Sequence, residues 1–175
     1  MDLQRIRREL QEIGARIRAG DDSKLLLWVI PNELACAQRP LRYDPQFGGS
    51  GIALPPEAEP VVVAWLARIK AEGIRSIISL MHPKELKHYD ALKLDPGGLL
   101  GFYRANRFEV AHFPWADPAH AKNAEERAHL KGQIQEIKIK ALEAFKRLPK
   151  PVLLHCSAGI DRSSPVAAFI SSKRP

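Results

Sequence analysis

A short buried strand, a tight loop and a helix start follow one another near the carboxyl end of the sequence. Val152 to Leu154 is an apolar run, which predicts a strand buried on both faces of a sheet. Residues 163–170 predict the first turns of a helix, with serine hydroxyls at its cap and Pro165 in its first turn. The loop between them runs from Cys156 to Arg162. A strand–loop–helix unit of this kind is typical of α/β folds.

The loop has the composition of an anion-binding site with a nucleophile at its floor. A tight turn into a helix points successive backbone N–H groups inward, and the helix adds its positive end. Arg162 is always charged and fork-shaped, so it can bind two oxygens of a phosphate. The same positive surroundings favour the thiolate form of Cys156. A thiolate beneath a bound phosphate is a nucleophile directed at phosphorus.

The motif His155-Cys156-x5-Arg162-Ser163, with Ala158-Gly159 inside it, resembles the signature loop of the cysteine-dependent protein tyrosine and dual-specificity phosphatases. The resemblance is sharp over residues 108–170 and looser back to about residue 24. It implies a cysteinyl-phosphate intermediate on Cys156. It also implies phosphate binding by the backbone of the loop and the arginine side chain, which involves Ser157, Ala158, Gly159, Ile160, Asp161 and Arg162.

The resemblance also implies roles for the residues that flank the cysteine and the arginine. Ser163 is expected to donate a hydrogen bond to the Cys156 sulfur. His155 is expected to order the loop and to favour the thiolate. A simpler interpretation stays open, in which Cys156 and His155 are ordinary buried residues of a strand–turn–helix unit.

Proton donation to the leaving group needs a carboxylic acid, and the sequence offers two candidates. Asp117 lies 39 residues before Cys156, on the loop that follows Phe113, where the family carries its general acid. Asp161 lies inside the loop immediately before Arg162, as in some lipid-directed relatives. Asp117 also precedes a proline, so it is in addition a common type of turn residue. We favour Asp117 as the acid and keep Asp161 as the alternative.

Length, charge and cysteine count limit the class of protein. The 175 residues are enough for one domain to bury most of its apolar surface. Two cysteines make no disulfide framework, and neither a signal peptide nor a membrane-spanning run is visible, so we expect a soluble cytoplasmic protein. The net charge of +7 is compatible with anionic partners. No nucleic-acid motif accompanies that charge, so we expect no nucleic-acid partner.

We expect the chain to divide into an amphipathic helix over residues 1–20 and, as the resemblance implies, a phosphatase domain over residues 21–175. Apolar residues recur at intervals of three and four along the helix: Leu3, Ile6, Leu10, Ile13 and Ile17. This face can pack on the domain, on a second copy of the chain or, with its arginines, on a lipid surface. Members of the family continue through further helix beyond the position of Pro175, so the resemblance implies a domain shortened at its carboxyl end.

Strands alternate with helices along the rest of the chain. Further strands are predicted at 25–30, 33–38, 74–80 and 108–113, and helices from about 56 to 72, 99–105 and 123–147. Prolines and glycines predict a loop at 40–56 and a turn at 95–98. The segment 82–85 lies just past a predicted strand, at the edge where such sheets bind ligands. This order predicts a mainly parallel central sheet flanked by helices on both faces, similar to the dual-specificity phosphatases.

The expected function is hydrolysis of phosphomonoesters on proteins. The chain has no evident tyrosine-recognition motif of the larger tyrosine phosphatases. For a small member of that family, the resemblance implies a shallow pocket that admits phosphoserine and phosphothreonine as well as phosphotyrosine. Two alternatives stay open: a phosphatase of phosphoinositides or inositol phosphates, and a module that binds phosphoproteins with little turnover. The histidines lack metal-ligand spacing, and a cysteine mechanism needs neither metal nor other cofactor, so we expect none. Cys36 is interpreted as a small buried residue, with oxidative pairing to Cys156 as the alternative.

Overall fold

The computed structural model describes residues 1–94 and 96–173. Its strands form one sheet in the order β1-β2-β5-β3-β4, in which β1 and β2 are antiparallel and every other neighbouring pair is parallel. The strands are β1 (Leu26–Ile30), β2 (Leu34–Ala37), β3 (Ser76–Ser79), β4 (Glu109–His112) and β5 (Val152–His155). The prediction of a mainly parallel α/β sheet is therefore confirmed. Four of the predicted strands are one to three residues too long, and the strand predicted at Val152 to Leu154 is one residue too short. Asp95, in the predicted turn at 95–98, and the last two residues of the predicted domain lie outside the described residues.

Seven helices are found in the described part of the chain: α1 (Leu3–Arg18), α2 (Glu59–Ala71), α3 (Pro83–Leu86), α4 (Gly98–Ala105), α5 (Ala124–Gly132), α6 (Ile134–Arg147) and α7 (Ser163–Ser172). The buried face of α2 is formed by Val62, Trp65, Leu66 and Ile69. Among the described residues, no helix combines the length and the apolar character that crossing a bilayer requires.

The first helix belongs to the main hydrophobic core. Asp2 caps it by accepting a hydrogen bond from the backbone N–H of Arg5 at 2.9 Å. Its apolar face packs on α7 and β1, and its buried residues include Ile6, Leu10, Ile13 and Ile17. Of the three packing alternatives, the structure shows packing on the helix's own domain. The face considered for self-association or for a lipid surface is covered by the chain itself.

The predicted continuous helix over 123–147 is wrong, because the chain forms two helices that meet at Gln133. Gly132, a weak helix former, ends the first of them. The indole Nε1–H of Trp115 donates to the carbonyl oxygen of Leu130 at 2.9 Å. A continuous helix would bond that oxygen to the N–H of residue 134. The break therefore lets α5 hold the loop that carries Trp115.

The position of β5 determines where the site forms. It is fully buried and lies between β2 and β3, parallel to both. In register, Ala37 and Ser79 both pair with His155. The three strands therefore end at one level, and the segments that follow them meet at the carboxyl edge of the sheet.

Candidate active site

The loop of residues 156–162, here called the cradle loop, leaves β5 and enters α7 with its carbonyl oxygens bonded to the surrounding protein. The carbonyl oxygens of His155, Cys156 and Ser157 accept hydrogen bonds from Leu80 N at 2.8 Å, His155 Nδ1 at 3.2 Å and Arg39 N at 2.9 Å, respectively. Those of Ala158, Gly159 and Ile160 accept from Tyr43 Oη at 3.5 Å, Ser164 Oγ at 3.5 Å and Ser164 N at 3.2 Å. None of the backbone N–H groups of residues 157–162 donates a hydrogen bond to another described residue. Oriented N–H groups beside a helix N-terminus form an anion-binding concavity.

Gly159 gives the cradle loop its curvature. Its φ is +80°, in the left-handed region that favours glycine. A Cβ at this position would lie 2.7 Å from the carbonyl oxygen of Ala37, which is backbone at the end of β2 and cannot rotate away. The loop therefore requires glycine here for both its conformation and its close approach to the sheet.

Cys156 and Arg162 both lie at the base of the site, and each is 1% exposed. The end of the guanidinium is paired with Glu85: Nη1 donates to Oε2 at 2.7 Å and Nη2 to Oε1 at 2.6 Å. Nη1 also donates to the carbonyl oxygen of Trp115 at 2.8 Å. Nε is buried and makes no hydrogen bond with any described residue. Because Nη2 carries two hydrogens, Nε–H and the second Nη2–H form a side-on fork that Glu85 does not occupy.

Glu85 is a site residue to which the sequence analysis assigned no role. It lies on the short helix α3, directly after β3, and its Oε2 also accepts the backbone N–H of His82 at 2.7 Å. Burial raises the pKa of Glu85, but the hydrogen bonds and charge of Arg162 outweigh burial and hold it below its ordinary value. A buried arginine needs a carboxylate partner. The available signal was the position of segment 82–85 at the ligand-binding edge.

The loop between β4 and the following turn, residues 113–117, is here called the acid loop. Asp117 Oδ2 lies 3.7 Å from Nε of Arg162, and its side chain is 14% exposed. Asp161 is exposed at the rim of the cradle loop. Both carboxylates line a cleft of about 380 Å³ together with Glu85, Ser157 and Ala158. The structure therefore brings both acid candidates to the mouth of the site, and places Asp117 beside the side-on fork of Arg162.

His155 is fully buried on β5, with its ring edge-on to that of Tyr103 at 5.8 Å between centroids. Burial lowers its pKa to about 4, so the imidazole is neutral at pH 7. Its Nδ1 faces the carbonyl oxygen of Cys156 at 3.2 Å, and since that oxygen can only accept, Nδ1 carries the proton. His155 thus fixes the orientation of the first peptide of the cradle loop, in keeping with the ordering role expected for it.

Ser163 does not make the hydrogen bond expected for it. Arg162 occupies the cap position of α7, without a side-chain capping bond, and Ser163 lies in the first turn. The Ser163 hydroxyl is buried there with no partner among the described residues, the Cys156 sulfur included. The predictions of a hydroxyl cap and of a Ser163–sulfur bond are therefore wrong for this conformation. Ser164 instead contacts the loop, through its bond to Gly159.

The remaining candidates lie outside this arrangement. Cys36 on β2 is fully buried, its pKa is raised by burial, and both cysteines are free thiols. The interpretation of Cys36 as a small buried residue is confirmed, and oxidative pairing with Cys156 stays an alternative that no observation tests. In the part of the chain that the structure describes, no three metal-binding side chains are grouped to hold an ion. The expectation of cofactor-free chemistry likewise stays a prediction.

No protein-family model matches the chain, and no curated protein sequence matches it. The resemblance to the cysteine-dependent phosphatases therefore depends on the motif residues and on the geometry of the site.

Proposed function

We propose that this protein is a cysteine-dependent phosphatase that hydrolyses phosphotyrosine, and also phosphoserine and phosphothreonine, through a cysteinyl-phosphate intermediate. The proposal includes a fold like that of the dual-specificity phosphatases, with helices on both faces of the sheet. One observation carries it: Cys156 begins a loop whose carbonyl oxygens from Cys156 to Ile160 are all bonded within the protein, and the loop ends at an arginine whose Nε makes no hydrogen bond with a described residue.

In the proposed first step, two oxygens of the phosphate accept from Nε and Nη2 of Arg162, and the others from N–H groups of the cradle loop. The Cys156 thiolate attacks phosphorus, a P–S bond forms, and the bond to the ester oxygen breaks. The departing oxygen takes its proton from the carboxylic acid of Asp117. This proton transfer is supported by the position of Asp117 beside the fork.

In the second step, water attacks phosphorus and gives its proton to the Asp117 carboxylate. The P–S bond breaks, and inorganic phosphate and the thiolate are released. Glu85 does not touch the substrate in this scheme. It holds the end of the guanidinium in one orientation, so that the side-on fork is already directed at the phosphate when substrate binds.

The test compares release of phosphate from a phosphotyrosyl peptide and from a phosphoinositide, in the presence of a chelator, for the natural protein and for Cys156→Ser. We expect the natural protein to hydrolyse the peptide faster, and Cys156→Ser to be inactive while still binding vanadate. Covalent catalysis by Cys156 is wrong if Cys156→Ser keeps more than about a hundredth of the rate, because loss of a nucleophile ordinarily costs far more. If the natural protein releases phosphate from neither the peptide nor the phosphoinositide, the phosphatase proposal is wrong.

A further inference from the structure

A second cleft adjoins the active-site cleft and shares two residues with it. It measures about 740 Å³ and, like the first, is lined by Asp117 and Asp161. It extends away from the cradle loop between α1 and the helices α5, α6 and α7. The two carboxylates therefore form a wall between the clefts, and a ligand held at Arg162 can continue across it.

The floor and the rim of this second cleft differ in character. Leu3, Ile134 and Pro165 give it apolar lining at the meeting of three helices, together with the buried indole of Trp115. Its cations are Arg7, Arg127, Lys131 and Lys138. An apolar floor with a cationic rim is complementary to a segment that carries an apolar side chain and one or more anionic groups.

None of these cations has a carboxylate within ion-pair distance among the described residues, whereas several other cations of α1 and α6 do. On α1, Arg5 pairs with Glu9 at 2.8 Å and Arg16 with Asp21 at 2.6 Å, whereas Arg7 has no such partner. On α6, Lys140 pairs with Glu136 at 2.5 Å. Lys138, two residues earlier, has instead its ammonium 5.6 Å from the centre of the Phe169 ring. The four cations outnumber the two carboxylates that line the cleft, so the cleft keeps a net positive charge.

The order of charges along the two clefts distinguishes between substrates. A phosphate at Arg162 is followed by the two carboxylates of Asp117 and Asp161, and only then by the cationic rim. An inositol ring that extended towards the second cleft would place an adjacent phosphate against that carboxylate wall, where like charges repel. A peptide can place an uncharged residue at the wall and its acidic residues beyond it.

Building on the proposed phosphatase function, we infer that the second cleft binds the acidic flank of a phosphopeptide, with Arg127 and Lys131 as its specificity residues. The preferred substrate then carries a phosphorylated residue, an apolar residue and glutamates or aspartates within one short segment. The contribution of such exposed charges is modest for each pair and falls as salt screens it.

The test uses two phosphotyrosyl peptides that differ only in flanking residues, one with glutamates and leucine and one with glutamines and leucine. The readout is the ratio of their kcat/KM values at low ionic strength. We expect a ratio of about ten in the natural protein, the effect of one or two charge pairs. The ratio should fall to about one, or below it, in Arg127→Glu/Lys131→Glu. Lys146→Glu/Arg147→Glu makes the same charge change on exposed residues of α6 that do not line the cleft, and should keep the ratio.

Failure of this inference is separable from failure of the proposed function. If the natural protein hydrolyses both peptides at equal rates, the inference is wrong and the phosphatase proposal stands. If it hydrolyses neither peptide nor a simple aryl phosphate, the proposed function itself is wrong. If Arg127→Glu/Lys131→Glu keeps the peptide ratio but loses hydrolysis of a phosphoinositide in vesicles, the cleft binds lipid and the peptide assignment is overturned.

Discussion

The cradle loop and the acid loop face each other across the candidate site, but the protein holds them in different ways. The cradle loop is bonded at every carbonyl oxygen from His155 to Ile160, and Gly159 packs against the backbone of β2. The acid loop depends largely on Trp115, which donates to α5 and accepts from Arg162. The cradle loop is therefore held at many points along its backbone, whereas the acid loop is held mainly through one side chain, that of Trp115. The three predictions below test this difference, from the largest expected effect to the smallest.

Arg162→Ala should affect both loops at once and have the largest effect. It removes the fork that is proposed to bind phosphate and the donor to Trp115, and it leaves Glu85 without its cation. We expect a loss of at least about 10³-fold in kcat/KM, since arginines that stabilise transferring phosphoryl groups are worth this much. Vanadate binding, followed by calorimetry, should be lost as well. If Arg162→Ala binds vanadate as tightly as the natural protein, the fork is not the phosphate clamp.

Arg162→Lys separates charge from geometry in the same experiment. A lysine keeps a cation for Glu85, so we expect it to fold with nearly the stability of the natural protein. It cannot present two parallel donors, so it should recover little of the lost activity. Recovery of most of the activity by lysine would mean that a point charge suffices at this position.

Most of the cradle loop could be predicted from sequence, because its chemistry is local. The strand before Cys156, the helix after Arg162 and the glycine between them occupy adjacent positions, so propensity and motif agree. The sequence analysis predicted a mainly parallel sheet but not its strand order, so the positions of β2 and β3 beside β5 come from the structure alone. Asp117 was placed by resemblance, since nothing in its own neighbourhood indicates which cation it approaches.

What the sequence left out depends on contacts between distant residues. Glu85 is 77 positions before Arg162, and no spacing rule links them. The break at Gln133 could not be predicted from the apolar pattern, because that pattern continues across Gln133. The hydrogen bond from Trp115 to the Leu130 carbonyl oxygen, which accompanies the break, joins residues on different elements. The missing Ser163–sulfur bond is a matter of side-chain orientation within a correctly predicted segment. Tertiary context overrides local propensity at such positions.

His155→Asn should change how the free energy of unfolding depends on pH. It tests whether the histidine that begins the cradle loop is buried in its neutral form. With a folded pKa of about 4, below the ordinary 6.5, His155 contributes stability that is fully present above pH 6.5. It is lost as pH falls from 6.5 towards 4, because the unfolded chain takes up the proton first. At about 1.4 kcal/mol for each unit, the loss approaches about 3 kcal/mol. Asparagine does not titrate, so the free energy of unfolding should fall less over this range.

The same variant tests the ordering role of His155. The Nδ2 of asparagine can donate to the carbonyl oxygen of Cys156 much as Nδ1 of the histidine does. We therefore expect His155→Asn to retain more phosphatase activity than His155→Ala, which removes both the titration and the hydrogen bond. Denaturant unfolding of all three proteins between pH 7 and pH 4 gives the slopes. Equal slopes for histidine and asparagine would contradict the assignment of a buried neutral imidazole.

Asp117→Asn tests the acid loop alone. We expect it to have the smallest of the three effects, because the loss of activity should nearly vanish for substrates with a good leaving group. A proton is needed only when the departing oxygen is a poor leaving group. On a phosphotyrosyl peptide we expect a loss of about a hundredfold, at the lower end of the value of a positioned acid. On an aryl phosphate whose phenol has a low pKa, the loss should nearly vanish. Asp161→Asn is the matched control, since it removes the other carboxylate of the same cleft.

The two variants give opposite patterns if the two loops have the roles proposed here. Asp161 belongs to the cradle loop and is exposed at its rim, so its removal should affect every substrate by a similar factor, through loop shape and local charge. Asp117 lies next to Nε of Arg162, where the ester oxygen departs, so its removal should affect substrates in proportion to the basicity of the leaving group. If the leaving-group dependence follows Asp161 instead, the proton donor lies in the cradle loop. The acid loop then serves only to close the cleft, and the likeness to lipid-directed phosphatases gains weight over the likeness to protein phosphatases.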